Sequence, residues 1–263
     1  MLDLLPILIS LATVLIIAVN IFNKAFKDGK PTCQHYILNT YLYIALGIIL
    51  ISAMCLVNEK GQILLSPISL GLTGFIGMIV FLVIWLSLLY TIYKLPAKYY
   101  PLIHLLWALA MYILASLMYP LYIIAKEMGV MTTAILITLG IVIVTSLIGY
   151  YKGDVFKFDL KRYLRWALFA LIFAELGVIY LVKDMELFMQ ITMILAFLGI
   201  IVFGLFLLAY TKDLKERSEK CVEANYPAES VKFILSMINI FSDVIRILVL
   251  RKVRKGSIRF GKR

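Results

Sequence analysis

The stretch VKFILSMINIFSDVIRILVL, Val231 to Leu250, decides the fold. Lys232, Ser236, Asn239, Asp243 and Arg246 interrupt an otherwise apolar run. They recur at alternating intervals of four and three, so on a helix all five fall within about 80° of one another. The stripe covers about 21 Å of helix, most of a hydrocarbon core about 30 Å thick. Each charged group facing lipid there costs roughly 2.5–3.5 kcal/mol on insertion scales. The stripe is therefore expected to face protein or water. This is the innermost helix of a polytopic membrane protein.

Composition agrees. Of 263 residues, 63% are hydrophobic and 16% charged, against about 25% charged in soluble domains; the mean hydropathy is +0.99. Eight apolar segments are legible, roughly 4–23, 36–57, 68–93, 102–125, 130–150, 166–182, 187–211 and 230–250. The first lacks a basic leader, carries Asp3, and is followed by Lys24, Lys27 and Lys30. It reads as a retained helix, not a cleaved signal. The expected organisation is an extra helix with its basic flank over 1–30, a membrane domain over 31–250, and a basic tail over 251–263.

The net charge of +11 does not point to nucleic acid, because the cations flank apolar spans. Loops 24–35, 94–101, 151–165 and 212–229 hold most of them, whereas the opposite loops hold Lys60, Lys126 and Lys183. The positive-inside rule assigns the richer loops to the cytosolic side. The tail, with Arg251, Lys252, Arg254, Lys255, Arg259, Lys262 and Arg263, disagrees if the last segment crosses. Full crossing and a re-entrant last helix both remain open. The tail could also hold anionic lipid head groups or a partner's acidic surface, or be merely solvated.

Gly71, Gly74 and Gly77 put small residues at every third position of the third segment, a weak sign of close helix approach. Pro120 should kink the fourth. Cys33, Cys55 and Cys221 match no zinc or disulfide pattern and read as ordinary thiols. No metal or cofactor is expected. Nor is catalysis: there is no nucleophile elbow, phosphate loop or His-Glu-x-x-His motif. Tyr99, Tyr100, Tyr150, Tyr151 and Trp166 fall at span ends and read as an interfacial belt.

Asp243 and Arg246 sit three apart, which suits a local ion pair that lets the helix insert. The alternative makes Asp243 a cation or proton relay. Glu175 stands alone near the middle of Trp166–Val182 and needs neutralising, by a proton or by a partner such as Arg246 or Lys232. His104, near a span end, reads as a hydrogen-bonded interfacial ring rather than a pH sensor.

From Tyr36 onward the order of segments resembles the Bax inhibitor-1 family of seven-helix membrane proteins. The stretches that carry it are NTYLYIALGIILISAM from Asn39, HLLWALAMYILASLMYP from His104 and TTAILITLGIVIVTSLIGYYKGD from Thr132. FGLFLLAYTKDL from Phe203 and ILSMINIFSDVIRIL from Ile234 complete it. The resemblance implies six helices around a central seventh, and a calcium leak gated by an aspartate pair. At the positions of that pair this chain looks to carry Tyr210 and Ser236, which could hydrogen-bond as a neutral substitute. The acidic position of the third helix looks like Ala115, and the basic residue of the second has no counterpart. Of the signature ending the sixth helix, Thr211 remains, followed by Lys212.

The expectation is an all-α, polytopic integral membrane protein with a seven-helix core and one extra N-terminal helix. Resemblance suggests a cytoprotective calcium-leak protein of an endomembrane. Its polar network would comprise Glu175, Asp243, Arg246, Asn239, Ser236, Tyr210 and Lys232. The alternative is a non-conducting structural or regulatory subunit with membrane-protein partners.

Overall fold

A computed structural model describes residue 13 and residues 16–21, 23–27, 30–59, 74–153, 160–221, 223–254 and 256. A short apolar helix, Ile16–Ala25, leads into a two-stranded antiparallel hairpin, β1 (Phe26–Lys27) and β2 (Lys30–Pro31), with Phe26 opposite Pro31. Among the described residues seven α-helices follow: α1 (Tyr36–Glu59), α2 (Gly74–Lys94), α3 (Tyr100–Glu127), α4 (Met131–Lys152), α5 (Leu160–Leu181), α6 (Met185–Glu219) and α7 (Tyr226–Arg254). Among the described residues, α1, α3, α4, α5, α6 and α7 each carry an apolar stretch long enough to cross a membrane. The chain is an all-α polytopic membrane protein. Met1 to Ala12, Gly71 and the tail beyond Gly256 lie outside the described residues. So do Lys255 and Asp154.

Local chemistry explains the helix boundaries. Gly129 has φ +59°, and the amides of Gly129 and Val130 return to the carbonyls of Lys126 and Ala125 at 3.0 and 2.9 Å. This paired closure after a helix wants glycine, which alone adopts a left-handed φ without strain, and it ends α3. At the start of α7, the Asn225 side-chain oxygen accepts the amide of Ala228 at 3.2 Å, capping an otherwise orphaned donor. α7 then runs unbroken for 29 residues, about 43 Å. It does not turn back on itself. Its end reaches the α3–α4 turn, where Lys252 Nζ donates to the Met128 carbonyl at 2.6 Å.

Two compact units are present, residues 1–120 with 216–234, and residues 121–215 with 235–263. The first is centred on aromatic and aliphatic packing: Tyr43, Trp107, Met111, Tyr226, Phe233 and Ile234 are all nearly or fully buried. Gly47 of α1 leaves no room for a Cβ because Ile234 occupies the space. In the second, α4 and α6 meet through Gly149, where an added Cβ would lie 2.5 Å from the Leu208 carbonyl oxygen. Lys161 and Asp213 join α5 to α6 at 2.6 Å. Burial is uneven: half of the apolar window of α7 is enclosed, against 11% in α4 and 17% in α5. Side chains such as Leu136, Ile143, Phe173 and Leu181 stand outward, the arrangement expected where hydrocarbon is the solvent.

One sequence expectation is overturned. Cys33 and Cys221 are not ordinary thiols: they form a disulfide with Cα atoms 5.9 Å apart across 188 residues. Their pairing depends on folding, which brings the segment ahead of α1 beside the α6–α7 connection, and no spacing in the chain encodes it. Cys55 is a free, buried thiol.

Candidate functional site

The stripe on α7 divides into two charged groups. In the second unit, Arg246 lies between two carboxylates. Its Nη1 donates to Glu175 Oε1 of α5 and lies 3.5 Å from Asp243 Oδ1, one turn back on its own helix. Glu175 therefore takes Arg246 as its partner, and the closer of the two ion pairs is the interhelical one. The Asp243 side chain is 8% exposed, while those of Glu175 and Arg246 are about one-third exposed. Asp243 owes its position to α6: a Cβ on Gly199 would collide with its carboxylate. Asn239 donates to the Leu235 carbonyl at 2.7 Å and Ser242 to that of Ile238 at 2.8 Å. Both thereby direct a side-chain donor to a carbonyl of the helix itself.

In the first unit, Lys232 pairs with Glu229, not Glu175. Lys232 Nζ lies 2.6 Å from Glu229 Oε2, and Arg217 Nη1 donates to the other carboxylate oxygen. Glu229 is only 5% exposed. A carboxylate so buried requires such compensation. Sequence reasoning placed Glu229 in a loop and missed it. The signal was present: the same alternation of three and four, carried back from Lys232, lands on Glu229 and then Asn225.

Further polar contacts hold this end in place. Tyr226 donates to the Thr32 carbonyl, and Asn39 Nδ2 donates to Tyr226 Oη at 3.3 Å and to the Gln34 carbonyl at 2.9 Å. Trp107 Nε1 donates to Ser230 Oγ at 3.0 Å. His104 uses both ring nitrogens: Nδ1 donates to the Tyr100 carbonyl at 2.5 Å, and Nε2 meets the Tyr43 hydroxyl. Since a carbonyl can only accept, Nε2 is left as the acceptor for Tyr43.

Comparison with known families matches residues 33–253 to the one described as "Inhibitor of apoptosis-promoting Bax1". The chain belongs to the Bax inhibitor-1 family. No curated protein matches it at a significant level. Tyr210 stacks on Phe206 with ring centroids 5.6 Å apart. Ser236 is buried. Thr211 donates to the Leu207 carbonyl at 2.8 Å. Ala115 is fully buried, its carbonyl facing Cys55 Sγ at 3.6 Å.

Proposed function

We propose that this Bax inhibitor-1 family member conducts or modulates a cation leak, calcium by family likeness, in an endomembrane. Glu175, Asp243 and Arg246 serve in place of the aspartate pair, with Tyr210 and Ser236 as a neutral contact. One observation carries the reading: a single guanidinium faces two carboxylates. With both acids ionised the group keeps one uncompensated negative charge inside the hydrophobic span. A proton or a passing cation neutralises it, and intramembrane acids commonly mark ion pathways. Cytoprotection, anionic lipid at the basic tail and membrane-protein partners belong to the same proposal; catalysis does not.

Reconstitution in liposomes tests it. Glu175→Gln and Asp243→Asn each remove the excess charge, so cation flux is expected to fall by about tenfold or more, given charge–charge energies of several kcal/mol at such distances. Unchanged flux in both variants removes the cluster from any pathway. The bridge that Arg246 makes from α7 to Glu175 of α5 favours a second reading, a non-conducting structural or regulatory subunit. That reading predicts no flux from the wild type and purification with a stoichiometric membrane partner.

A further inference from the structure

Cys221 lines a cleft of about 410 Å³ at the junction of α6, α7 and the start of α1. The size suits a small organic molecule. Its walls carry both signs of charge, with Arg217 and Lys220 among Glu216, Glu223 and Glu229. Both cysteines are half-buried rather than enclosed, so the bond between them is within reach of solutes. The loops that hold them are two of the lysine-rich loops that charge bias assigns to the cytosolic side. Disulfides on that side are usually transient and redox-sensing, because cellular thiols reduce them. Location, access and charge thus converge on one bond.

We propose that Cys33–Cys221 is a thiol–disulfide exchange site whose cleft admits a small zwitterionic thiol, one bearing carboxylates and an ammonium group. The thiolate attacks Cys221 Sγ, the sulfur on the cleft wall. The bond to Cys33 breaks, and Cys33 leaves as a thiolate that takes up a proton. A second thiol then attacks the mixed disulfide, releasing the oxidised dimer of the small thiol and leaving Cys221 reduced. Two small thiols are oxidised and one protein disulfide is reduced. Opening the bond unties the α6–α7 connection from the segment ahead of α1, which then rest on hydrogen bonds such as Tyr226 to Thr32.

The test uses the full chain in proteoliposomes, with disulfide state read from the gel shift of maleimide-polyethylene glycol. Glutathione and 2-mercaptoethanol are compared at equal thiolate concentration. Glutathione should open the bond about tenfold faster, through ion pairs of its carboxylate with Lys220 and its ammonium with Glu223 rather than through net steering, because the acids of the cleft outnumber its cations. The trapped mixed disulfide should map to Cys221 by mass spectrometry. The double variant Lys220→Ala, Glu223→Ala, altering two exposed side chains, should bring the two rates together while leaving that of 2-mercaptoethanol unchanged. Equal rates in the wild type, or a mixed disulfide on Cys33, would each overturn the proposal.

Discussion

Gly199 and Glu229 are the residues on which the two charged groups depend. At Gly199 the missing side chain makes room for the Asp243 carboxylate, so Gly199→Ala must displace either α6 or the acid. Overpacking of this kind costs about 1–3 kcal/mol. Gly140 in α4 has nothing within 4 Å of its added Cβ, and Gly140→Ala should be neutral or slightly stabilising by helix propensity. Thermal unfolding of the two variants in the same detergent checks the contrast; equal melting temperatures would show that the Asp243 pocket tolerates a methyl group. Glu229→Ala leaves the partly buried Lys232 facing Arg217 without their shared acid. Breaking a buried pair by removing one partner costs about 3–5 kcal/mol. Arg217→Ala, at a side chain 56% exposed, should cost clearly less in the same assay. Glu229 was legible in principle, since periodicity reaches it. Its burial was not, because the charges of 212–229 read together as a solvated loop.

At the scale of elements, α5 and α7 are joined by Glu175 and Arg246. Each group is costly alone in an apolar span, and together they leave only the charge of Asp243 in excess. Arg246→Met should therefore destabilise more than the double variant Glu175→Met, Arg246→Met, which removes an acid and its cation at once. Replacing a whole ion pair by apolar side chains is often neutral, whereas stranding one member costs about 3–5 kcal/mol. Because Glu175 and Arg246 are each about one-third exposed, the lower end of that range applies. A double-mutant cycle from unfolding measurements isolates the coupling; a coupling near zero would mean that the bridge contributes nothing to holding α5 against α7. The positions of these charges on their helices follow from spacing alone. Which of them meet does not, and Lys232, a candidate partner for Glu175, goes to Glu229 instead.

For the whole molecule, the end of α7 and the α3–α4 turn share one side, since Lys252 bonds to Met128. Charge bias in the sequence predicts that this turn and the Cys221 loop face opposite sides of the membrane. Single cysteines replacing Glu127 and Arg254, in a background with Cys33 and Cys221 changed to serine, should react together with an impermeant maleimide, and a cysteine at Lys220 should react from the other side. Reaction of Arg254→Cys and Lys220→Cys from one side would reverse this topology. The buried Cys55 leaves a low background. By itself the sequence determined the all-α membrane class, the polar face of α7 and the family, because hydropathy, helical period and the order of segments are properties of neighbouring residues. Tertiary structure alone decided the Cys33–Cys221 bond, the choice of Arg246 for Glu175, and the need for glycine opposite Asp243. Those contacts join positions far apart in the chain, and only the packing of one helix on another sets which side chains come within reach.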